Sequence, residues 1–222
     1  MQIGSREWQR YIIGGARKLG IELDERVSAS FSIYASELLN WNRKINLTAV
    51  TDPREIAIKH FLDSLAPAGC IPDRSRLLDI GSGGGFPGIP LKIFKPSISA
   101  LLIDGVRKKI NFLKHVLRTL GLENIQARQI RTETLLKDPE YATSFDIIIS
   151  RALADLLTFV KGALPLLAEH GTIIAMKGEV DTKELDAVRA NALGDQYSLE
   201  IEKYGLPSIR AKRSIVIIKH LQ

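Results

Sequence analysis

The chain has 222 residues, 45% of them hydrophobic and 25% charged, the composition of an ordinary globular protein with room for one full α/β domain. Its formal charge is +6 and its pI about 9.4, which favours a polyanionic partner through counterion release without identifying one. No apolar run approaches the ~18 residues of a membrane-spanning helix, the first residues lack the apolar core of a secretory signal, and Cys70 is the single cysteine, so a reducing, cytoplasmic setting is expected.

The first seventy residues read as helices. In the second of them Val27, Phe31, Tyr34, Leu38 and Trp41 recur every three or four positions, which makes one apolar stripe. A third helix is expected over 52–66. Asp52 can cap it, Pro53 suits the first helical position, and Glu55 stands where a capping-box carboxylate belongs. On this helix His60, Asp63 and Ser64 share one face by their i, i+3, i+4 spacing, beside apolar Ile58, Phe61, Leu62 and Leu65.

From Arg76 onward strands alternate with helices. Residues 77–80, 100–104, 145–149 and 172–176 read as strands, with a less regular one at 125–130, and helices are clearest at 106–120 and 155–168. Val106, Ile110, Leu113, Leu117 and Leu120 should form the buried stripe of the first of these helices. Alternation of this kind implies a parallel sheet covered on both faces. Residues 197–204 and 214–218 also read as strands, but only a turn with Gly205, Pro207 and Ser208 separates them. A parallel crossover needs a dozen or more residues, so this pair should be antiparallel. The expected architecture is α/β: a mostly parallel seven-stranded sheet with an antiparallel last strand over 71–222, preceded by a helical region over 1–70 that packs on it.

The stretch from Leu78 to Gly88 carries the chemistry. Asp79, Gly81, Gly83 and Gly85 follow a strand and open a helix, where glycines let backbone approach a ligand closely. Asp104, nineteen residues past Gly85, ends the next strand, and a carboxylate there can accept both hydroxyls of an adenosine ribose. A structural turn beside a solvated aspartate would use the same residues. Gly83-Gly84-Gly85-Phe86-Pro87-Gly88 also satisfies the dinucleotide pattern G-x-G-x-x-G, so an NAD-dependent Rossmann oxidoreductase competes. That frame starts late after the strand and places Pro87 in the loop. The earlier frame, from Asp79 to Gly85, resembles the first motif of class I methyltransferases.

Further motifs extend the resemblance. They are Trp41-Asn42-Arg43-Lys44-Ile45-Asn46-Leu47-Thr48, His60-Phe61-Leu62-Asp63-Ser64, Ile149-Ser150-Arg151-Ala152, Met176-Lys177-Gly178 and the run from Arg213 to Lys219. With the glycine loop, these make the chain similar to the RsmG (GidB) family of small-subunit ribosomal RNA guanine-N7 methyltransferases. The resemblance implies a Rossmann-like class I fold, S-adenosylmethionine as cofactor, and 16S ribosomal RNA or the small ribosomal subunit as partner. It places the cofactor at Gly81 and Phe86, with Gly83 and Gly85 shaping the loop, and it assigns the ribose to Asp104, where many relatives carry glutamate. Thr132 and Glu133 fall where adenine contacts lie, and Arg151 matches a further cofactor contact. On the substrate side it points to Asn46, His60, Asp63 and Lys177. Each has a plainer reading: Asn46 as a turn cap, His60 and Asp63 as a surface pair, Lys177 as a solvated cation.

Guanine N7 carries a lone pair and no proton, so no catalytic acid or base is assigned, and Asp63 is a candidate only for orientation or charge stabilisation. No metal is expected, and the protein should be a monomer. Two basic clusters, Arg107-Lys108-Lys109 with Lys114 and Arg118, and Arg210 with Lys212 and Arg213, are either RNA contacts or solvated faces. A non-enzymatic RNA-binding protein with a degenerate cofactor fold is the remaining alternative, against which the intact loop argues.

Overall fold

The computed structural model describes residues 1–152 and 155–221. Helix α1 (Arg6–Lys18) starts where the Ser5 side chain accepts the Trp8 N–H, and α2 (Glu25–Ile45) starts on Asp24 and stops at Asn46 in the left-handed conformation. Both caps are those their residue types favour. The stripe on α2 faces inward, with Phe31, Tyr34 and Leu38 fully buried. The third helix begins as expected: Asp52 accepts from the Arg54 and Glu55 N–H groups, and Pro53 opens α3 (Pro53–Ile56). It is not one regular helix, however. Its middle widens into a π-helical stretch, Ala57–Leu62, before α4 (Asp63–Leu65) and a 3-10 segment, Ala66–Cys70.

The sheet domain then runs β1 (Arg76–Ile80), α5 (Gly88–Phe94), β2 (Ser99–Ile103), α6 (Arg107–Thr119), β3 (Ile125–Arg128), α7 (Thr132–Leu135), β4 (Phe145–Arg151), α8 (Leu156–Ala163), β5 (Leu167–Lys177), α9 (Thr182–Val188), β6 (Tyr197–Gly205) and β7 (Lys212–His220). Strand order is β3-β2-β1-β4-β5-β7-β6. Strands β1 to β5 are parallel, and β7 lies antiparallel to both β5 and β6. This is the expected seven-stranded class I arrangement.

Three local expectations need correction. Strand β3 stops at Arg128. Helix α8 stops at Ala163, because Pro165 lies in a 3-10 turn, Leu164–Leu166, and cannot donate to the helix ladder; β5 already begins at Leu167. Val106 is 46% exposed because it is the N-cap of α6, outside the helix; Phe112 and Val116 join Ile110, Leu113 and Leu117 in the buried stripe.

Both sheet faces are covered. Leu77, Leu102, Ile147, Ile149, Ile174 and Ile217 share one apolar cluster with α1, α2, α5, α6 and the π-helical stretch. Their strand neighbours Leu78, Leu101, Ile148, Ile173 and Val216 join α8 and α9 on the other face, the period-two alternation of a strand. Strand order reverses at β1, between β2 and β4, and a crevice opens outside the carboxyl ends of the strands at such a point.

Candidate active site

The loop after β1 holds Gly81, Gly83 and Gly85 at φ values of 71°, 56° and 89°, the region that disfavours a Cβ. A Cβ on Gly81 would meet nothing within 4 Å, and one on Gly83 only the Gly81 carbonyl at 3.8 Å. These two leave backbone open to a ligand. Gly85 is different: a Cβ there would run into the Tyr34 hydroxyl, Ile89 Cδ1 at 2.7 Å and Leu113 Cδ2 at 2.9 Å. Gly85 therefore lets α2, α5 and α6 close around the loop. Tyr34 secures it by donating to the Gly84 carbonyl.

Two carboxylates flank the loop. Asp79 is completely buried. Its Oδ2 accepts the Gly88 N–H at 2.9 Å, and Oδ1 has no partner among the described residues. Burial raises its pKa to about 7, against the lowering effects of the Gly88 N–H and Arg151. Asp104, just past β2, accepts the Gly83 N–H at 3.1 Å and the Val106 N–H at 2.8 Å, with Lys109 Nζ at 3.6 Å. Each of its oxygens takes one hydrogen bond and has capacity for another.

A second group lies at the ends of β4 and β5. The π-helical stretch presents His60, whose Nε2 lies 2.8 Å from Thr48 Oγ1, while Arg151 Nη2 lies 3.4 Å from Nδ1. Since guanidinium can only donate, Nδ1 accepts and Nε2–H donates to Thr48. Burial, then the Arg151 charge, lowers the His60 pKa to about 3, so the ring is neutral. Arg151 also donates to the Lys59 carbonyl at 2.8 Å. Asp63 accepts from Tyr204 at 2.7 Å through Oδ1. Arg213 Nε lies 3.5 Å from that oxygen, and Arg151 Nη1 lies 3.4 Å from Oδ2. These residues, with Val50, Met176, Lys177 and Gly178, line a cavity of about 370 Å³, within the ~300–1,000 Å³ typical of small-molecule sites.

The structure thus brings His60, Asp63, Arg151 and Lys177 together around one cavity. Asn46 lies outside its lining: it is the exposed left-handed cap of α2, the plainer of its two readings. His60 and Asp63 are no surface pair, since each is buried and both reach Arg151, His60 through Nδ1 and Asp63 through Oδ2. Lys177 is neither solvated nor free, because Glu184 pairs with it. Asp63 is committed to two arginines and a tyrosine, which leaves it a holder of those groups. The Phe86 ring is buried, stacked on Tyr34 and on His60 with centroids 5.1 and 4.6 Å away. Thr132 and Glu133 lie on α7, and neither side chain makes a hydrogen bond among the described residues. The side chains beside the Asp104–Gly105 turn are Gln129, which donates to the Gly105 carbonyl at 3.3 Å, and Arg131, 3.8 Å from where a Gly105 Cβ would stand.

Sequence spacing missed several members. Asn42 clamps Thr48 through both its carbonyl and its amide, at 2.8 and 2.9 Å, and so positions the His60 partner. Both residues lie in the Trp41–Thr48 motif, which was the available signal. Tyr204 carried no such signal, and Arg213 stood in the Arg213–Lys219 motif with nothing to tie it to Asp63, which both residues reach only through the folded hairpin.

A family model described as rRNA small subunit methyltransferase G (GidB) matches residues 27–216. A ribosomal RNA small subunit methyltransferase G of a Geobacter species is 46% identical over 206 residues, 92% of this chain and 94% of the relative. One from Roseiflexus castenholzii is 40% identical over 92% of this chain and 88% of its own. Among solved structures, M. jannaschii TYW2 in complex with AdoMet superposes with a TM-score of 0.56 at 15% identity, covering 72% of this chain and 74% of that one. An rRNA methylase from Streptococcus thermophilus gives 0.54 at 17%, covering 72% and 93%.

Proposed function

The chain belongs to the GidB family of rRNA small subunit methyltransferases, and from that premise we propose that it transfers a methyl group from S-adenosylmethionine to N7 of a guanine in 16S ribosomal RNA, in the cytoplasm. The observation that carries the reading is the juxtaposition of an open glycine loop, flanked by Asp79 and Asp104, with the cavity lined by His60, Asp63 and Arg151.

The residues fit the cofactor. Unpaired Asp79 Oδ1 suits the ammonium of its methionine moiety, Gly81 and Gly83 leave room for close approach, and Asp104 retains acceptor capacity for ribose hydroxyls. Bound there, the cofactor supplies an electrophilic methyl group on a sulfonium.

The chain's own part is placement. N7 has no proton to remove, and the cavity offers no base to remove one. Both His60 nitrogens are engaged, by Thr48 and Arg151, and its low pKa keeps it neutral. Asp63 sets Arg151 and Arg213 at fixed positions on the cavity wall. Such preorganised orientation is a sufficient source of rate. The test is to incubate 16S ribosomal RNA with methyl-labelled cofactor and map the label. Label on one guanine N7 is expected; label on a nitrogen that begins with a proton, or no transfer at all, overturns the reading.

A further inference from the structure

We propose that a cationic track along α6, ending in the groove between α6 and β3, binds the RNA strand that flanks the methylated guanine; this rests on ribosomal RNA being the substrate. Arg107, Asn111, Lys114 and Arg118 are spaced four, three and four apart and are all exposed, so they form one stripe down the helix. Lys108 lies beside it. Helix α6 contains no acidic residue, and among the described residues Arg107, Lys108, Lys114 and Arg118 have no carboxylate partner within 4 Å. Lys109 alone is compensated, by Asp104.

This charge pattern opposes the helix. Three cations occupy the first turn, where the macrodipole favours anions, and the one carboxylate beside them, Asp104 just ahead of the helix, pairs only with Lys109. Lys114 and Arg118 repel each other at i, i+4. A local rule broken with only one compensating carboxylate marks a functional surface, and a row of cations that lowers stability alone is relieved by a polyanion.

The track leads somewhere. Its start is tied to the cofactor side, since the Val106 N–H donates to Asp104. From there α6 runs about 20 Å at ~1.5 Å per residue to a groove of about 830 Å³. Asn111, Lys114, Leu117 and Arg118 line it from α6 and Arg128 from the edge strand β3, with Trp41 and one carboxylate, Glu123, also in the lining. Trp41 is only partly buried, with ring centroids 5.7 Å from Phe112 and 5.3 Å from His115. Cations beside an aromatic face are the means by which proteins hold unpaired nucleic acid strands. The groove is larger than the 370 Å³ cavity, lies apart from it, and shares no lining residue with it.

The experiment compares wild type with Lys114→Gln/Arg118→Gln, and with a charge-matched control, Lys161→Gln/Lys183→Gln, on the helices of the opposite sheet face. Dissociation constants for 16S ribosomal RNA are measured across salt, together with cofactor affinity and single-turnover methylation at saturating RNA. In the α6 variant, RNA binding should weaken several-fold per cation at roughly 0.1 M salt, and the salt slope should fall by about one per residue. Cofactor affinity and the saturated rate should stay at wild-type values, and the control should match wild type throughout. Trp8 is fully buried, so quenching of tryptophan fluorescence by a short single-stranded RNA reports Trp41. An unchanged salt slope in the α6 variant, in an enzyme that still methylates ribosomal RNA, overturns the track and leaves the proposed function standing. Failure of the wild type to methylate ribosomal RNA overturns the function itself. Quenching by a free mononucleotide as strong as by the oligonucleotide overturns the assignment of the groove to a strand.

Discussion

Asp79 and His60 both feel the Arg151 charge, yet their ionisation tilts stability in opposite directions. Burial keeps Asp79 protonated up to about pH 7. Its folded pKa lies above the unfolded ~3.9, so its contribution is complete below that value and is lost as pH rises through 7. His60 stays neutral down to about pH 3. Its folded pKa lies below the unfolded ~6.5, so its contribution is complete above 6.5 and is lost as pH falls toward 3. Between about pH 4 and 6.5 the two slopes oppose each other, and wild-type stability should be nearly flat. We predict that Asp79→Asn leaves a stability that rises with pH across this window, while His60→Gln leaves one that falls, each by at most ~1.4 kcal/mol per pH unit. Urea midpoints at several pH values measure this, and parallel profiles for all three proteins would refute it. A second prediction is that Asp104→Asn weakens S-adenosylmethionine binding by roughly 1–3 kcal/mol, through lost charge-assisted hydrogen bonds to the ribose and to the Gly83 N–H; calorimetry giving wild-type affinity would move the ribose contact elsewhere. Asp104 was legible because its position after a strand is local. The use of Asp63 was not, since Tyr204 lies 141 positions away along the chain.

Among elements, the third helix shows where sequence reading stops. Its start is written in Asp52 and Pro53, which act on neighbouring amides. The widening at Ala57–Leu62 is not, because one of its carbonyls, that of Lys59, takes its donor from Arg151 on β4, a partner that exists only after the sheet has formed. The widened turn, of a kind frequent at functional sites, carries His60 and Asp63, which meet at Arg151 and diverge beyond it, His60 to Thr48 and Asp63 to Tyr204 and Arg213. Asp63 then joins this helix to β4, β6 and β7 through Arg151, Tyr204 and Arg213. Asp63→Asn should cost on the order of 2–3 kcal/mol, because it leaves two arginines facing a neutral group. It should also lower single-turnover RNA methylation while cofactor affinity stays near wild type. Thermal melts and cofactor titration separate the two effects; a normal rate in a folded Asp63→Asn protein would remove Asp63 from the positioning of the cavity wall.

Across the whole molecule, sheet topology sets the site. Reversal of strand order at β1 puts the glycine loop and the arginine of β4 at one edge, and the helical layer on the first sheet face brings His60 to it. The alternation of strands and helices was visible because each period is local, and the short β6–β7 link left only an antiparallel pairing. What periodicity could not show is that β7 inserts between β5 and β6. Gly83→Val fills the open side of the loop, and we predict loss of S-adenosylmethionine binding with far-UV circular dichroism unchanged; retained binding would mean that the ligand does not pass there. With saturating cofactor and no base in the cavity, the single-turnover rate should show no step between about pH 6.5 and 8.5. A pKa in that profile that disappears with one substitution would identify an acid or base after all.

The insertion of β7 has a consequence for biosynthesis. Strand β6 leaves the ribosome before the strand it pairs with, and β5 waits for the same partner. The early helices wait too, since Trp8, Phe31 and Phe61 share their cluster with Ile215 and Ile217. A nascent chain translated only as far as Arg210 therefore holds β6 without a partner strand, β5 with its outer edge open, and an apolar helical layer without its full seat, a state prone to aggregation. Stalled at that length, it should be digested rapidly by protease, whereas a chain extended past His220 and clear of the tunnel should resist. Folding of the helices made first is thus gated by the last of the seven strands to be made.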